Sequence, residues 1–213
     1  MNPGVASWIP LARRAEDLGD AHLGTVLILG ATGMAGSIAV DNAYALGARA
    51  VVAVGRNQDQ LTALRERSAG HDLQTVALGE GVDVSGEIVT ALDGRPPSTV
   101  IDFLWGPVAD ETLLALGRPE LDSDGYDVSY VQVGSMAGAD ATVPAALLRS
   151  RTIRLSGSGL GGTPLHELMG RLPQFLAQIA AGRVHVPYVA YPLARAVEAW
   201  SAGGHPRVVL VPG

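Results

Sequence analysis

The feature that most constrains this chain is a strand, a glycine-spaced turn and a helix that follow one another directly. The apolar run 25–29 predicts a short buried strand, and the stretch 37–46 predicts a helix. Glycines let the turn between them approach a pyrophosphate closely, and the helix N-terminus behind it offers free N–H groups and a positive dipole end. The unit therefore predicts a dinucleotide site formed by Gly30, Thr32, Gly33, Met34, Ala35 and Gly36. The alternative is a turn that only packs a helix against a strand.

The end of the next predicted strand, 50–54, indicates which dinucleotide would bind. An acidic residue that holds the ribose 2′-hydroxyl of NAD is expected about 20 residues beyond such a loop. The sequence there is Gly55-Arg56-Asn57. Arg56 suits the 2′-phosphate of NADP, because a guanidinium can donate paired hydrogen bonds to phosphate. We therefore predict NADP(H) as the cofactor, with Gly55, Arg56 and Asn57 at its phosphate end. The alternative is a solvated arginine at a strand end.

Composition limits the classes of protein and partner. A chain of 213 residues that is 47% hydrophobic and 17% charged can bury one full α/β core. The net charge of −6 argues against a nucleic-acid surface, and no apolar run is long enough for a membrane span. No signal peptide is visible, so a cytoplasmic location is expected.

Two residue types are absent, and their absence excludes several chemistries. The sequence contains no cysteine, and all 15 of its basic residues are arginines. Disulfides and thiolate zinc sites are therefore excluded. Lysine Schiff bases and the Tyr-x-x-x-Lys pair of short-chain reductases are excluded as well. The five histidines show no metal-ligand spacing, so we predict no metal site.

Apolar patterning predicts an α/β fold with a doubly wound, parallel, six-stranded sheet of the Rossmann type. The predicted strands are 25–29, 50–54, 73–78, 99–104, 130–133 and 152–155. The predicted helices between them are 33–46, 58–67, 87–92, 108–116 and 145–148. The strand order expected for this pattern is 3-2-1-4-5-6. We divide the chain into a lead-in (1–24), a dinucleotide-binding domain (25–160) and a C-terminal helix–strand appendage (161–213).

The appendage begins with a helical pattern. Thr163 is the predicted N-cap, Pro164 the first helical residue and Gly182 the stop. Pro173 lies inside this pattern and is expected to kink or split the helix. Residues 185–191 look extended, a short helix opens at Pro192, and 207–211 form a final strand.

Further motifs occur in a fixed order along the chain: Ser7-Trp8-Ile9-Pro10-Leu11, Asp102-Phe103-Leu104-Trp105-Gly106, Gln132-Val133-Gly134-Ser135 and Gly157-Ser158-Gly159-Leu160-Gly161. With the glycine loop, they resemble the medium-chain dehydrogenase/reductase superfamily, specifically its quinone-oxidoreductase-like branch. The resemblance runs over nearly the whole chain but leaves out the N-terminal barrel domain, which holds the zinc ligands where zinc is used. The chain is therefore expected to be either a natural reduced form or a fragment, and no zinc mechanism is carried over.

The resemblance also implies which residues surround the cofactor and how the chain assembles. Phe103, Leu104 and Trp105 would lie near the nicotinamide, with core packing as the alternative. Gly134 and Ser135 follow the fifth strand and Ser158 follows the sixth, so they share the carboxyl edge where ligands bind in such sheets. The resemblance implies a homodimer through the sixth strand, from Thr152 to Leu155.

No catalytic residue is predicted. Asp102 is either a buried carboxyl with a raised pKa or a hydrogen-bonded structural residue. Asp110, Glu111, Tyr126, Tyr130 and His166 are weaker candidates. The expected reaction is hydride transfer from NADPH to an enone, quinone or carbonyl of a small hydrophobic substrate. One alternative is a non-redox cyclase, isomerase or dehydratase, with Trp105, Tyr126 and Met136 around its substrate. Another is a non-catalytic NADP-binding module.

Overall fold

A computed structural model describes residues 3–19, 22–122, 126–159, 161–201 and 207–212. Six parallel strands form the central sheet in the order β3-β2-β1-β4-β5-β6. They are β1 (Gly24–Leu29), β2 (Ala48–Gly55), β3 (Asp72–Ala77), β4 (Thr99–Asp102), β5 (Val128–Gln132) and β6 (Ile153–Gly157). The predicted fold class and strand order are confirmed.

Helices cover both faces of this sheet. On one face, α2 (Met34–Ala45) and α3 (Gln58–Arg67) pack on Val26 and Ile28 of β1. On the other face, α4 (Val84–Leu92), α5 (Gly106–Leu116) and α6 (Ala145–Ser150) pack around Leu27 and Leu29. Alternate residues of one strand thus enter two separate cores, which is why β1 reads as a continuous apolar run.

A third apolar cluster joins the two ends of the chain. Trp8 and Ile9 of α1 (Pro3–Leu18) pack against Ile38 of α2 and Phe175 of α7 (Leu165–Ala180). The Trp8 and Phe175 ring centroids are 5.6 Å apart. Phe175 is the single buried residue of α7, so this ring anchors the helix.

The chain after α7 forms a separate small sheet. It contains β7 (Tyr188–Pro192), a 3₁₀ turn (Leu193–Arg195), α8 (Ala196–Ser201) and β8 (Arg207–Val211). Strands β7 and β8 pair with each other in parallel. Among the described helices, none combines the length and the apolar character needed to cross a membrane.

The structure corrects three sequence-based expectations. Pro173 lies within one unbroken helix, because a proline removes a single intrahelical hydrogen bond and Phe175 holds the next turn against α1. Pro164, not Thr163, is the N-cap of that helix, while Gly182 (φ +71°) follows its end as predicted. The fourth strand ends at Asp102 instead of Leu104, because the next residues turn back onto the Asp102 carboxylate.

Candidate dinucleotide-binding site

The glycine turn is fixed between the first two strands. The N–H groups of Gly30 and Ala31 both donate to the Val54 carbonyl at 2.9 Å, and Gly30 has a φ of +87° that favours glycine. A Cβ at Gly36 would lie 2.1 Å from the Gly30 carbonyl oxygen. Only a glycine therefore lets α2 begin this close to β1.

The N-terminus of α2 differs from those of the next two helices. Asn57 caps α3 by accepting from Gln60 N at 3.0 Å, and Asp83 caps α4 by accepting from Gly86 N at 2.9 Å. The N-cap of α2 is Gly33, and no side chain accepts a hydrogen bond there. The first N–H groups of a helix have no partner within it, so those of α2 remain available to an anion.

A cavity of about 470 Å³ lies at this carboxyl edge of the sheet. That volume is in the usual range for ligand pockets. The cavity is lined by Gly30, Thr32, Gly33, Met34, Ala35, Gly36, Gly55, Arg56, Leu78, Phe103, Leu104, Gly134 and Met136. The carboxyl ends of five strands and the N-terminus of α2 therefore meet around one space, which is lined by Arg56 and by several apolar side chains.

Four predicted site residues do not line this cavity. Asn57 has the capping role at α3. Trp105 meets the Tyr130 ring edge-on at 6.3 Å and packs against the α4–α5 core. Ser135 lies between the lining residues Gly134 and Met136, and the Ser158 hydroxyl donates to the Ala6 carbonyl at 3.4 Å.

Two residues of the cavity wall were absent from the predicted cofactor contacts. Leu78 follows the end of β3, and its place at the carboxyl end of a parallel strand was the available signal. Met136 is 85% exposed and lies in the loop after β5. The sequence suggested Met136 only as a substrate contact in the non-redox alternative.

Asp102 organises the turn that carries Phe103 and Leu104 into the cavity. Its Oδ1 accepts from Leu104 N at 2.7 Å and Trp105 N at 2.9 Å, and its Oδ2 accepts from the Tyr130 hydroxyl at 2.7 Å. Burial raises the pKa of Asp102, while these hydrogen bonds act in the opposite direction. The carboxyl is thus both buried and structural, so the two alternatives open at the sequence level are both realised.

The same turn contains unusual backbone geometry. Trp105 has φ 55° and ψ −160°, a conformation that is essentially restricted to glycine. The hydrogen bonds that Leu104 N and Trp105 N donate to Asp102 Oδ1 hold Trp105 in this conformation. Burial and the neighbouring Asp102 carboxylate raise the pKa of Tyr130 far above its usual range, so its hydroxyl keeps the proton that it donates.

The other acid–base candidates have structural surroundings. Tyr126 lies ahead of β5, at the amino edge, where its hydroxyl donates to the Leu116 carbonyl at 2.6 Å. Burial raises the pKa of Tyr126 to about 12. The expectation that Tyr126 and Met136 surround one substrate in the non-redox alternative is therefore wrong. Asp110 accepts from Thr142 N at 2.5 Å, Glu111 lies within α5, and His166 is exposed on the first turn of α7.

Comparisons with known proteins agree with this geometry. No family model matches the chain. It is 29% identical over 236 residues to the "Probable NADPH-dependent quinone reductase tdiC" of Emericella nidulans, covering all of this chain and 60% of that protein. The crystal structure of AibC aligns with a TM-score of 0.72 at 25% identity, over 98% of this chain and 54% of that one. Escherichia coli quinone oxidoreductase, solved with NADPH, aligns with a TM-score of 0.68 at 20% identity, over 97% and 63%.

The fold and the cleft define a dinucleotide-binding protein of the Rossmann class. These similarities support the medium-chain dehydrogenase/reductase superfamily, in its quinone-oxidoreductase-like branch, with this chain resembling the cofactor-binding half. It spans about 60% of the length of the curated relative. The resemblance recognised in the sequence is confirmed.

Proposed function

We propose that this chain binds NADP(H) in the cleft and serves hydride transfer to an enone, quinone or carbonyl of a small hydrophobic substrate. The observation that carries the proposal is Arg56 beside the uncapped N-terminus of α2, within one cavity. The name of the curated relative, an NADPH-dependent quinone reductase, supports both the cofactor and the reaction class.

Different residues of the cavity would bind different parts of the cofactor. The free N–H groups of α2 would hold the pyrophosphate, and the Arg56 guanidinium would hold the 2′-phosphate. Phe103, Leu104 and Met136 form an apolar end that would orient the nicotinamide and exclude water. NADPH supplies the hydride when bound, so the protein's task is placement.

The proton that completes the reduction is proposed to come from solvent. Arg56 is the one ionisable side chain among the described residues that line the cavity. Asp102 and Tyr130 are hydrogen-bonded to each other behind it. The non-redox alternative loses support, since Tyr126 lies at the opposite edge and Trp105 packs away from the cavity.

We further propose a homodimer through β6. This strand is mostly exposed, and in the described part of the chain it pairs with β5 along one edge only. Such an edge can pair with a second strand. Leu155→Pro would remove the strand's capacity to donate a hydrogen bond at that point, and sedimentation analysis would then show monomer where the wild type shows dimer.

The test is a fluorescence titration of the wild type and of Arg56→Ala with NADPH and with NADH. We expect Arg56→Ala to weaken NADPH binding at least tenfold, the order expected for a lost charge-assisted contact, and to leave NADH unaffected. Arg95→Ala is the matched control, because Arg95 is 67% exposed and far from the cavity lining. NADPH oxidation with quinones and enones then tests the reaction.

The outcomes separate the candidate functions. Binding of NADPH with oxidation by a quinone or enone supports the reductase. Tight binding with no oxidation by any acceptor supports the non-catalytic module. Absence of binding by either nucleotide would contradict the cofactor assignment itself.

A further inference from the structure

A second cavity, of about 350 Å³, shares no lining residue with the dinucleotide cleft. Both α2 and α3 start at the carboxyl edge and run towards the amino edge of the sheet. The second cavity lies at their far ends, beside Tyr44 near the end of α2 and Arg67 at the end of α3. The segment after α7, which includes Arg183 and His185, forms its third side. Three elements therefore enclose it.

The charge of this cavity is opposite to that of the whole chain. The chain carries a net charge of −6, yet Arg67, His71, Arg183 and His185 all line the cavity. Among the described lining residues, Asp41 is the one carboxylate. Two arginines and two histidines are thus concentrated at one place on an acidic protein.

The negative charge of the one carboxylate, Asp41, is already balanced by hydrogen-bond donors of the protein. Asp41 Oδ1 accepts from Arg67 Nη2 at 3.0 Å, and Asp41 Oδ2 accepts from the backbone N–H of His185 at 2.9 Å. The Arg183 Nε donates to the neutral amide oxygen of Gln178 at 2.5 Å, so its charge is not balanced by that contact. The cavity keeps a positive charge even with Asp41 ionised.

The positive groups are also held in place. The His71 ring stacks on Tyr44 with centroids 4.2 Å apart, and the Tyr44 hydroxyl donates to the Asp72 carbonyl at 2.8 Å. Arg67 donates a further hydrogen bond to the Ser37 carbonyl at 3.0 Å. Because Arg67 and the His71 ring are held by these contacts, less conformational entropy is lost when they bind an anion.

We propose that this cavity binds a tetrahedral oxyanion, phosphate either free or as a monoester. Arginine and protonated histidine are the donors that make strong, charge-assisted hydrogen bonds to such an anion. The proposal goes beyond the function proposed above and does not rest on it. The charged and titratable groups that face His71 and His185 are Asp41 and Tyr44 on α2, Arg67 on α3, Asp72 on β3 and Arg183.

The first experiment follows the imidazole proton resonances by NMR while pH is varied, in sulfate and in chloride at equal ionic strength. Sulfate remains a dianion across this range, so only the protein titrates. We expect sulfate to shift the titrations of His71 and His185 to higher pH and to leave those of His22 and His166 in place. Sulfate should bind roughly tenfold more tightly at pH 6 than at pH 8, as expected for two nearby unit charges in an aqueous setting.

The control variants decide the assignment. His71→Gln with His185→Gln should weaken sulfate binding at pH 6 roughly tenfold and remove its pH dependence, whereas His22→Gln with His166→Gln should leave both unchanged. All four histidines are exposed, so both double variants should fold. Inorganic phosphate and glycerol phosphate, titrated in the same way, distinguish the free anion from the ester.

Three results would overturn the proposal. One is equal shifts at all four histidines, which would indicate general screening. The second is no shift at any of them. The third is loss of the His71 and His185 shifts once NADPH is bound, which would reassign the cavity to the cofactor.

Discussion

Strands rich in β-branched residues are buried in the six-stranded central sheet and exposed in the two-stranded C-terminal sheet of this molecule. β4 (Thr99–Asp102) is buried at every position, whereas β8, which reads Arg-Val-Val-Leu-Val, is mostly exposed. Helices cover both faces of the central sheet, and the β7–β8 sheet has α8 beside it as its main neighbour. An apolar strand sequence therefore shows that the strand can be buried. Whether it is buried depends on which other elements of the chain pack against it.

The helix α7 joins the C-terminal part of the chain to α1 through both apolar and polar contacts. Phe175 supplies the apolar contact with α1. Glu167 supplies the polar one, because its carboxylate bridges Arg13 of α1 at 2.7 Å and Arg171 of its own helix at 3.0 Å. Arg171 in turn reaches Glu16 of α1 at 2.7 Å. The attachment thus combines one buried ring with one ionic network.

The largest expected effect comes from removing that ring. Phe175→Ala should lower the free energy of unfolding by about 3–5 kcal/mol, because it leaves a cavity against Trp8. Leu176→Ala is the matched control on the same helix, since Leu176 is 49% exposed, and it should cost less than about 1 kcal/mol. Urea unfolding measures both. Equal losses for the two variants would show that α7 is not anchored at one point.

Glycine substitutions compare the two parts directly. Gly36→Ala should destabilise the protein by about 3 kcal/mol and abolish NADPH binding, because the new Cβ would overlap the Gly30 carbonyl. Gly170→Ala lies on α7 with nothing within 4 Å of its added Cβ. There the alanine should stabilise the helix by about 0.5–1 kcal/mol. Unfolding curves and NADPH titrations check both, and a tolerated Gly36→Ala would contradict the tight approach of α2 to β1.

The glycine loop and the sheet were predictable because their signals are local. Periodicity, β-branched runs and glycine spacing all operate within a few residues, so the strand order followed from them. The turn after β4 was not predictable in the same way. Asp102 Oδ1 accepts from Trp105 N, which is close in sequence, but Asp102 Oδ2 accepts from Tyr130, which only sheet pairing brings near. The second cavity likewise depends on the segment after α7 meeting α2 and α3.

The Asp102–Tyr130 contact gives a smaller effect within the central sheet. Tyr130→Phe should cost about 1–2 kcal/mol of unfolding free energy, because it removes a hydrogen bond to a buried carboxyl. Tyr188→Phe is the control in the C-terminal sheet, where Tyr188 is 61% exposed, and it should have no measurable effect. If Tyr130→Phe also changes NADPH affinity, the turn that carries Leu104 depends on this contact. Equal, negligible effects of both substitutions would contradict a structural role for the Asp102–Tyr130 pair.

The ionic part of the α7 attachment should give the smallest effect and a distinct pH dependence. The Arg13 and Arg171 guanidinium groups lower the pKa of Glu167 to about 2. A carboxyl with a lowered pKa in the fold stabilises it fully above its ordinary pKa and loses that contribution as the pH falls towards the folded value. Glu167→Gln should therefore cost about 1 kcal/mol at pH 7, a size set by solvent screening, and progressively less between about pH 4.5 and 2.

The control for this pH dependence is Glu198→Gln, whose carboxylate pairs with Arg195 at the exposed surface of α8. Solvent and salt screen that pair, so its removal should leave the unfolding free energy unchanged at every pH. Urea unfolding at a series of pH values measures both variants against the wild type. A Glu167→Gln cost that stayed constant from pH 7 to pH 3 would show that the loss comes from packing. In that case the apolar contacts of α7, including those of Phe175, would account for its attachment to α1.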